Sequence, residues 1–228
     1  MTFVSHAIVA APPARLSAAG LRGRPLIWIA CGELGLWATE LDRDLQLERD
    51  DAFAHHRIVE EICEVQACLP VRFGTAFASA ESARSSITER APDLRSALSR
   101  VEGKRELAVT LLWRSIEPSP AQPEPPAGLG PGTRFMEQRR ATYAALDERR
   151  ARASELAECL VAELATEREL VWHEICTSPN VAVSLAALVP SERAVERKEH
   201  LARMVARFAD VTGVVNGPWP PYSFAEAR

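Results

Sequence analysis

Two histidines and two glutamates, His55, His56, Glu60 and Glu61, crowd into one stretch of the chain. On a helix, residues four apart share a face, so His56 and Glu60 have the spacing of a metal-ligand pair or an acid–base pair. A metal centre needs a third ligand that the spacing does not supply, and the group reads as solvated helix surface. Cys63 and Cys68 flank a helix-to-strand transition rather than a metal knuckle, and Cys176 near His173 closes a helical pattern with no third partner. A nucleophilic thiol needs a cation or a helix N-terminus to depress its pKa. Neither is marked out, so these are expected as buried, inert thiols. Glu33, Glu106 and Glu117 form no pattern that would hold two carboxylates at glycosidase separation. There is no phosphate-binding glycine loop, no GxSxG and no HExxH. No catalytic residue, cofactor or metal is expected.

The elements that would position any site must come from a chain of 228 residues, 47% hydrophobic and 25% charged, with net charge −4. That is a globular composition with a sizeable core. The acidic balance and the absence of a Lys/Arg run leave no footprint for nucleic acid or for an anionic membrane. The N-terminal stretch lacks a basic leader, and no apolar run approaches the roughly 20 residues that span a bilayer. A cytoplasmic protein follows, and in that compartment its five cysteines are expected reduced.

The hydrophobic period changes along the chain. Phe3 to Ala10 reads as a strand stopped by Pro12 and Pro13, and Leu26–Cys31 with Leu34–Leu41 reads as a hairpin. From Asp50, Phe53, Ile58, Ile62 and Val65 recur at helical spacing, with Asp50 or Asp51 as N-cap. Ser79 caps the next helix, Pro92 suits the first turn of a further one, and Gly103 ends it before the strand Glu106 to Arg114. Strands, helices and a hairpin without a nucleotide loop predict an antiparallel sheet with helices on one face, a ferredoxin-like α+β layer over residues 1–116. Residues 117–133 are too proline-rich for helix or sheet and read as a linker. Residues 134–228 read as a long helix, Arg134 to Cys176, then a smaller α+β domain. The helix carries Tyr143, Leu146, Ala153, Leu156, Leu160, Leu164, Val171 and Ile175 as its stripe, interrupted at Arg150 and Glu167 and terminated by Pro179. The interruptions favour a helix laid along its own chain over a coiled-coil dimer. The domain after it starts with a strand, Val181 to Val189, followed by a helix capped by Ser191 and a short strand, Val214 to Asn216, a half ferredoxin-like pattern.

Two blocks stand apart. The first, Leu69 to Phe77 (LPVRFGTAF), alternates Leu69, Val71 and Phe73 on one face, places Pro70 at a strand start or edge, and breaks at Gly74. Arg72 points the other way, towards an acidic group such as Glu106 or towards a partner, while Phe73 and Phe77 are expected as core plugs. The second, Gly217 to Phe224 (GPWPPYSF), cannot be a central strand, because Pro218, Pro220 and Pro221 lack the N–H. It reads as a stiff arm setting Trp219, Tyr222 and Phe224 against a surface, its own or a partner's.

With its flanking segments, LPVRFGTAF resembles the signature block of the gas vesicle protein F/L (GvpF/GvpL) family, and GPWPPYSF is similar to that family's terminal motif. The resemblance is carried by Leu69, Pro70, Arg72, Phe73, Gly74, Thr75 and Phe77, then by Gly217, Pro218, Trp219, Pro220, Pro221, Tyr222 and Phe224. It implies a modified ferredoxin-like N-terminal domain and a non-enzymatic minor gas vesicle component. Such a protein contacts the small hydrophobic shell protein, with other minor vesicle proteins as further partners, and assists nucleation and assembly in the cytoplasm. The competing expectation is a tandem ferredoxin-like protein that binds a small ligand as a regulatory module or small enzyme. Its mark would be a concave apolar pocket with convergent polar groups.

Overall fold

The hairpin strands carry apolar residues on both faces, so the sheet they build needs cover on both sides. The computed structural model describes residues 1–10, 16–42, 46–114, 130–164, 170–176, 178 and 180–225. Its chain divides into two units: Met1–Glu106 with Leu188–Ala194 and Gly217–Arg228, and Leu107–Ala187 with Val195–Asn216.

In the first unit, β1 (Thr2–Val9), β2 (Leu26–Cys31), β3 (Leu34–Leu41) and β4 (Leu69–Pro70) form a sheet in the order β2-β3-β1-β4, with the two-residue β5 (Ala76–Phe77) also beside β1. The pairings are antiparallel, with a register shift between Ser5 and Ala7. This is the ferredoxin-like strand order; among the described residues the connection from β1 to β2 carries only a 3-10 turn, Leu21–Gly23. Side chains sort cleanly by face. Ile29, Cys31, Leu34, Leu36, Ala38 and Leu69 pack with α2 (Ala80–Glu89) and α3 (Ala91–Val101), through Ala83, Ile87, Leu94, Ala97, Leu98 and Val101. Val4, Ala7, Val9 and Leu41 pack with Ile58, Val59 and Ile62 of α1 (Arg49–Val65). Helices therefore cover both faces, not the single face expected from the sequence, because strands with apolar residues at odd and even positions leave no side that water would tolerate.

The helix ends obey local rules. Ser79 accepts from the Ser82 amide at 3.1 Å, and Pro92 falls in the first turn of α3. At α1 the cap lies earlier than expected: Asp51 is a third-position residue whose carboxylate accepts from the Glu48 amide at 2.8 Å and from Arg22 at 2.7 Å. Phe53 and Val65, expected on the buried stripe, are exposed; the helix buries His55 with Ile58, Val59 and Ile62 instead.

The second unit holds most of β6 (Lys104–Trp113), α4 (Pro131–Leu164), β7 (Leu170–Ile175), and most of β8 (Val181–Pro190), α5 (Ala194–Val205) and β9 (Val211–Trp219); the four strands are ordered β7-β8-β6-β9. The helix is described as far as Leu164, and Val171 and Ile175, expected on its stripe, lie on a strand. LVWHEI is rich in β-branched and aromatic residues, and beside β8 that preference prevails over a continued helical period. At 34 residues α4 is roughly 51 Å long. Ala153, Leu156, Ala157, Leu160 and Leu164 are buried, whereas Phe135, Met136, Tyr143 and Leu146 are more than half exposed. Its C-terminal part lies along its own chain, tied by Arg152 to both carboxylate oxygens of Asp210 at 2.7 and 3.2 Å. Pro12, Pro13, Glu167, Pro179 and most of the 117–133 linker fall outside the described residues, while Pro131 already opens α4. No helix among the described residues is long and apolar enough to cross a membrane.

Gly35 of β3 lies under the Trp28 ring, in space a Cβ would enter. Gly35→Ala is expected to destabilise the chain by about 1–3 kcal/mol through overpacking. Urea unfolding measures this, and an unchanged midpoint would contradict the packing described.

Candidate functional site

LPVRFGTAF is an interrupted edge rather than an alternating strand. Leu69 and Pro70 pair with Ile8 and Ala7, and Ala76 and Phe77 pair with Val4 and Phe3. Opposite Ser5 and His6 the chain makes a five-residue excursion, Val71 to Thr75. It is pinned at its base by the Val71 amide donating to the His6 carbonyl at 2.8 Å and the Ser5 amide donating to the Thr75 carbonyl at 2.9 Å. The Thr75 amide closes a turn onto the Arg72 carbonyl at 3.1 Å, with Gly74 at φ +88°, the position of a type II turn that disfavours any side chain. Pro70 sits on an edge strand, where its missing N–H costs nothing.

Beneath the excursion lies a chain of buried polar groups. The Nδ1 atoms of His6 and His55 are 3.0 Å apart, His6 Nε2 is 2.8 Å from Thr39 Oγ1, and His55 Nε2 is 3.0 Å from the Val71 carbonyl. A carbonyl only accepts, so His55 Nε2 carries the proton and His55 Nδ1 accepts from His6 Nδ1. His6 Nε2 then accepts from the Thr39 hydroxyl, whose oxygen accepts from the Leu21 amide at 3.0 Å. Every donor has one acceptor only while both rings are neutral. Burial, reinforced by His55, pushes the His6 pKa down to about 3. Burial, with His56 adding to it, pushes that of His55 down to about 4. His55, expected on solvated helix surface, is thus a core residue at 2% exposure. His56 is half-buried, 3.4 Å from Glu60.

The GPWPPYSF block docks on its own chain. Gly217, Pro218 and Trp219 end the edge strand β9, and Tyr222–Phe224 form a 3-10 turn. Glu106, 4% exposed, accepts from the Ser223 amide at 2.7 Å and the Ser223 hydroxyl at 2.8 Å. Burial raises its pKa, against the pull of those two bonds. Tyr222 stacks on His56 with centroids 6.2 Å apart, and Phe224 packs against the core under α2 and α3. Trp219 keeps 37% of its surface exposed.

The first block, with Tyr222 of the second, lines a groove of about 430 Å³. One wall is Leu69, Pro70, Val71, Arg72, Phe73, Thr75 and Phe77; Ser86, Ile87, Arg90 and Leu94 form another, and Tyr222 and Ala225 close it. The floor is apolar, with Ile8 and Leu36 from the sheet. Arg72 and Arg90 are exposed, and neither is in an ion pair among the described residues. The expected bridge from Arg72 to Glu106 is not formed, since Ser223 holds that carboxylate. Phe73 and Phe77 are half-buried groove walls rather than core plugs; Phe73 meets His55 edge-on at 5.5 Å. Gly74, Gly217, Pro218, Trp219, Pro220, Pro221 and Phe224 do not line the groove. Sequence reasoning missed Arg90 and Tyr222 as neighbours of the first block, and no local signal pairs residues so distant along the chain.

Two outcomes follow. Between pH 6.5 and 4 the unfolded chain binds protons that the buried histidines refuse, so stability falls as pH falls, by roughly 2 kcal/mol per histidine at pH 5. Urea midpoints read with imidazole ¹⁵N spectra check this, and an imidazolium signal from His6 or His55 at pH 6 would contradict it. Glu106→Ala is expected to cost about 1–3 kcal/mol by orphaning the Ser223 donors. Hydrogen exchange should then accelerate at the Ser223 amide; unchanged protection there would show that the tail is held by other contacts.

A family model described as gas vesicle synthesis protein GvpL/GvpF matches residues 5–226. Gas vesicle protein L2 of Halobacterium salinarum is 30% identical over 196 residues, spanning 75% of this chain and 69% of that one. Gas vesicle protein F1 of the same organism is 24% identical over 180 residues, spanning 78% and 70%. Crystal structures of GvpF from Microcystis aeruginosa (TM-score 0.78, 18% identity, 99% of each chain) and from Anabaena sp. PCC7120 (TM-score 0.79, 17% identity, 99% of this chain and 96% of that one) share the α+β fold.

Proposed function

The chain belongs to the GvpL/GvpF family of gas vesicle synthesis proteins, and from that premise we propose that it is a non-enzymatic, cytoplasmic assembly factor. It binds the small hydrophobic shell protein, alongside other minor vesicle proteins, and assists nucleation of the vesicle. The observation that carries this reading is the groove walled by the Leu69–Phe77 block and closed by Tyr222 of the Gly217–Phe224 block. A shell subunit rich in apolar surface aggregates before it is incorporated unless a soluble partner covers part of it. The groove offers an apolar floor for such a segment and two guanidinium groups, Arg72 and Arg90, in no ion pair among the described residues, for a carboxylate beside it. Leu69, Pro70, Phe73, Thr75, Phe77 and Tyr222 are the proposed contact walls. Gly74 shapes the turn, and Gly217, Pro218, Pro220, Pro221 and Phe224 place the arm. Trp219 is a second contact, outside the groove.

The size of the groove and its two cations also favour a second reading, a small anionic ligand. Co-expression with the shell protein, scored by solubility and co-purification, separates the two. Arg72→Glu combined with Arg90→Glu is expected to reduce co-purification about tenfold or more at unchanged melting temperature, and Trp219→Ala is run beside it. No association in the presence of the other vesicle proteins would sink the assembly reading. A melting shift with small anions that the double variant abolishes would establish the alternative.

A further inference from the structure

Cys63 lies in the last turn of α1 and Cys68 immediately before β4, and their Sγ atoms face each other at 2.7 Å. A disulfide bond of about 2.05 Å needs a movement of less than ~1 Å from there. Cys68 is fully buried; Cys63 is half-buried, and both open on a cavity of about 250 Å³ that Gln66, Lys104, Arg105 and Pro221 help to line. Cys63 is the less buried of the two, and two residues of the cavity wall, Lys104 and Arg105, are cationic. This departs from the inert, separate thiols expected from the sequence.

We propose that Cys63 and Cys68 are a dithiol–disulfide couple that exchanges with small disulfides of the glutathione class, Cys63 attacking and Cys68 resolving. The Cys63 thiolate, its proton released to solvent, attacks one sulfur of the small disulfide. A mixed disulfide forms, the small S–S bond breaks, and the first leaving thiolate takes up a proton. The Cys68 thiol then gives up its proton and attacks Cys63 Sγ. The Cys63–Cys68 bond forms, the mixed disulfide breaks, and the second small thiolate is protonated. Two protein thiols are oxidised and one small disulfide is reduced to two thiols, with protons conserved. The division of roles agrees with the electrostatics: a hydrogen bond from Cys68, aided by Arg105, lowers the Cys63 pKa against its burial. The same contact together with burial raises that of Cys68. The product joins the end of α1 to the start of β4, the strand that leads into the groove wall. It does so whether or not the groove binds a shell protein.

The full-length chain, fully reduced, is incubated with oxidised glutathione, quenched by alkylation and digested with trypsin. Residues 58–72 form one tryptic peptide holding both cysteines. It is expected to appear about 2 Da lighter and unalkylated, with two of the five thiols lost from the denatured chain. Cys68→Ser should trap a glutathione adduct on Cys63, whereas Cys63→Ser should leave Cys68 unmodified; melting curves confirm that both variants are folded. The proposal is overturned if the peptide keeps two alkylatable thiols under conditions that fully modify the exposed Cys159. An adduct on Cys68 in folded Cys63→Ser would overturn the assigned roles.

Discussion

Four hydrogen bonds run from the Leu21 amide through Thr39, His6 and His55 to the Val71 carbonyl, linking the 3-10 turn, β3, β1, α1 and the Leu69–Phe77 block inside one core. Each link fixes the donor–acceptor sense of the next, so the series has one consistent proton arrangement with both rings neutral. A buried polar chain of this kind is favourable only when complete, since any orphaned member carries its full desolvation penalty. That requirement constrains the register of β1 against β3, the rotation of α1 and the path of Val71 together. The excursion above it, and through that the groove, inherits its shape from this constraint.

Much of the fold was legible because it follows from short-range rules. The hairpin strands Leu26–Cys31 and Leu34–Leu41 have the bounds their apolar runs imply, Ser79 caps where a serine before a helical period should, and Pro92 opens a helix rather than breaking one. What failed was non-local. His55 looks like helix surface until His6, 49 residues away, supplies a polar partner inside the core. Cys63 and Cys68 look separate until the chain reverses between them. The helical period of α4 continues arithmetically into Val171 and Ile175, and only the neighbouring strand shows that they belong to a sheet.

The candidate site divides the same way. Gly74 and Pro70 announced a turn and an edge through their backbone chemistry, and both are found there. The side chains that make the place concave, Ser86, Arg90, Leu94 and Tyr222, come from elements whose meeting depends on the tertiary fold. Phe73 illustrates the limit. A strand alternation puts it in the core, yet the type II turn removes it from that alternation and lays it against His55 as a wall.

Closure of the groove by Tyr222 and Ala225 gives the site an order in time as well as a place. Synthesis runs from the N-terminus, so β1, the excursion and both flanking helices can be assembled while residues 217–225 have yet to be made. Until Glu106 receives the two Ser223 donors, that wall is missing and the apolar floor is open on one side. The groove therefore gains its last wall only once residues 217–225 have been made, long after the segments that form the rest of it.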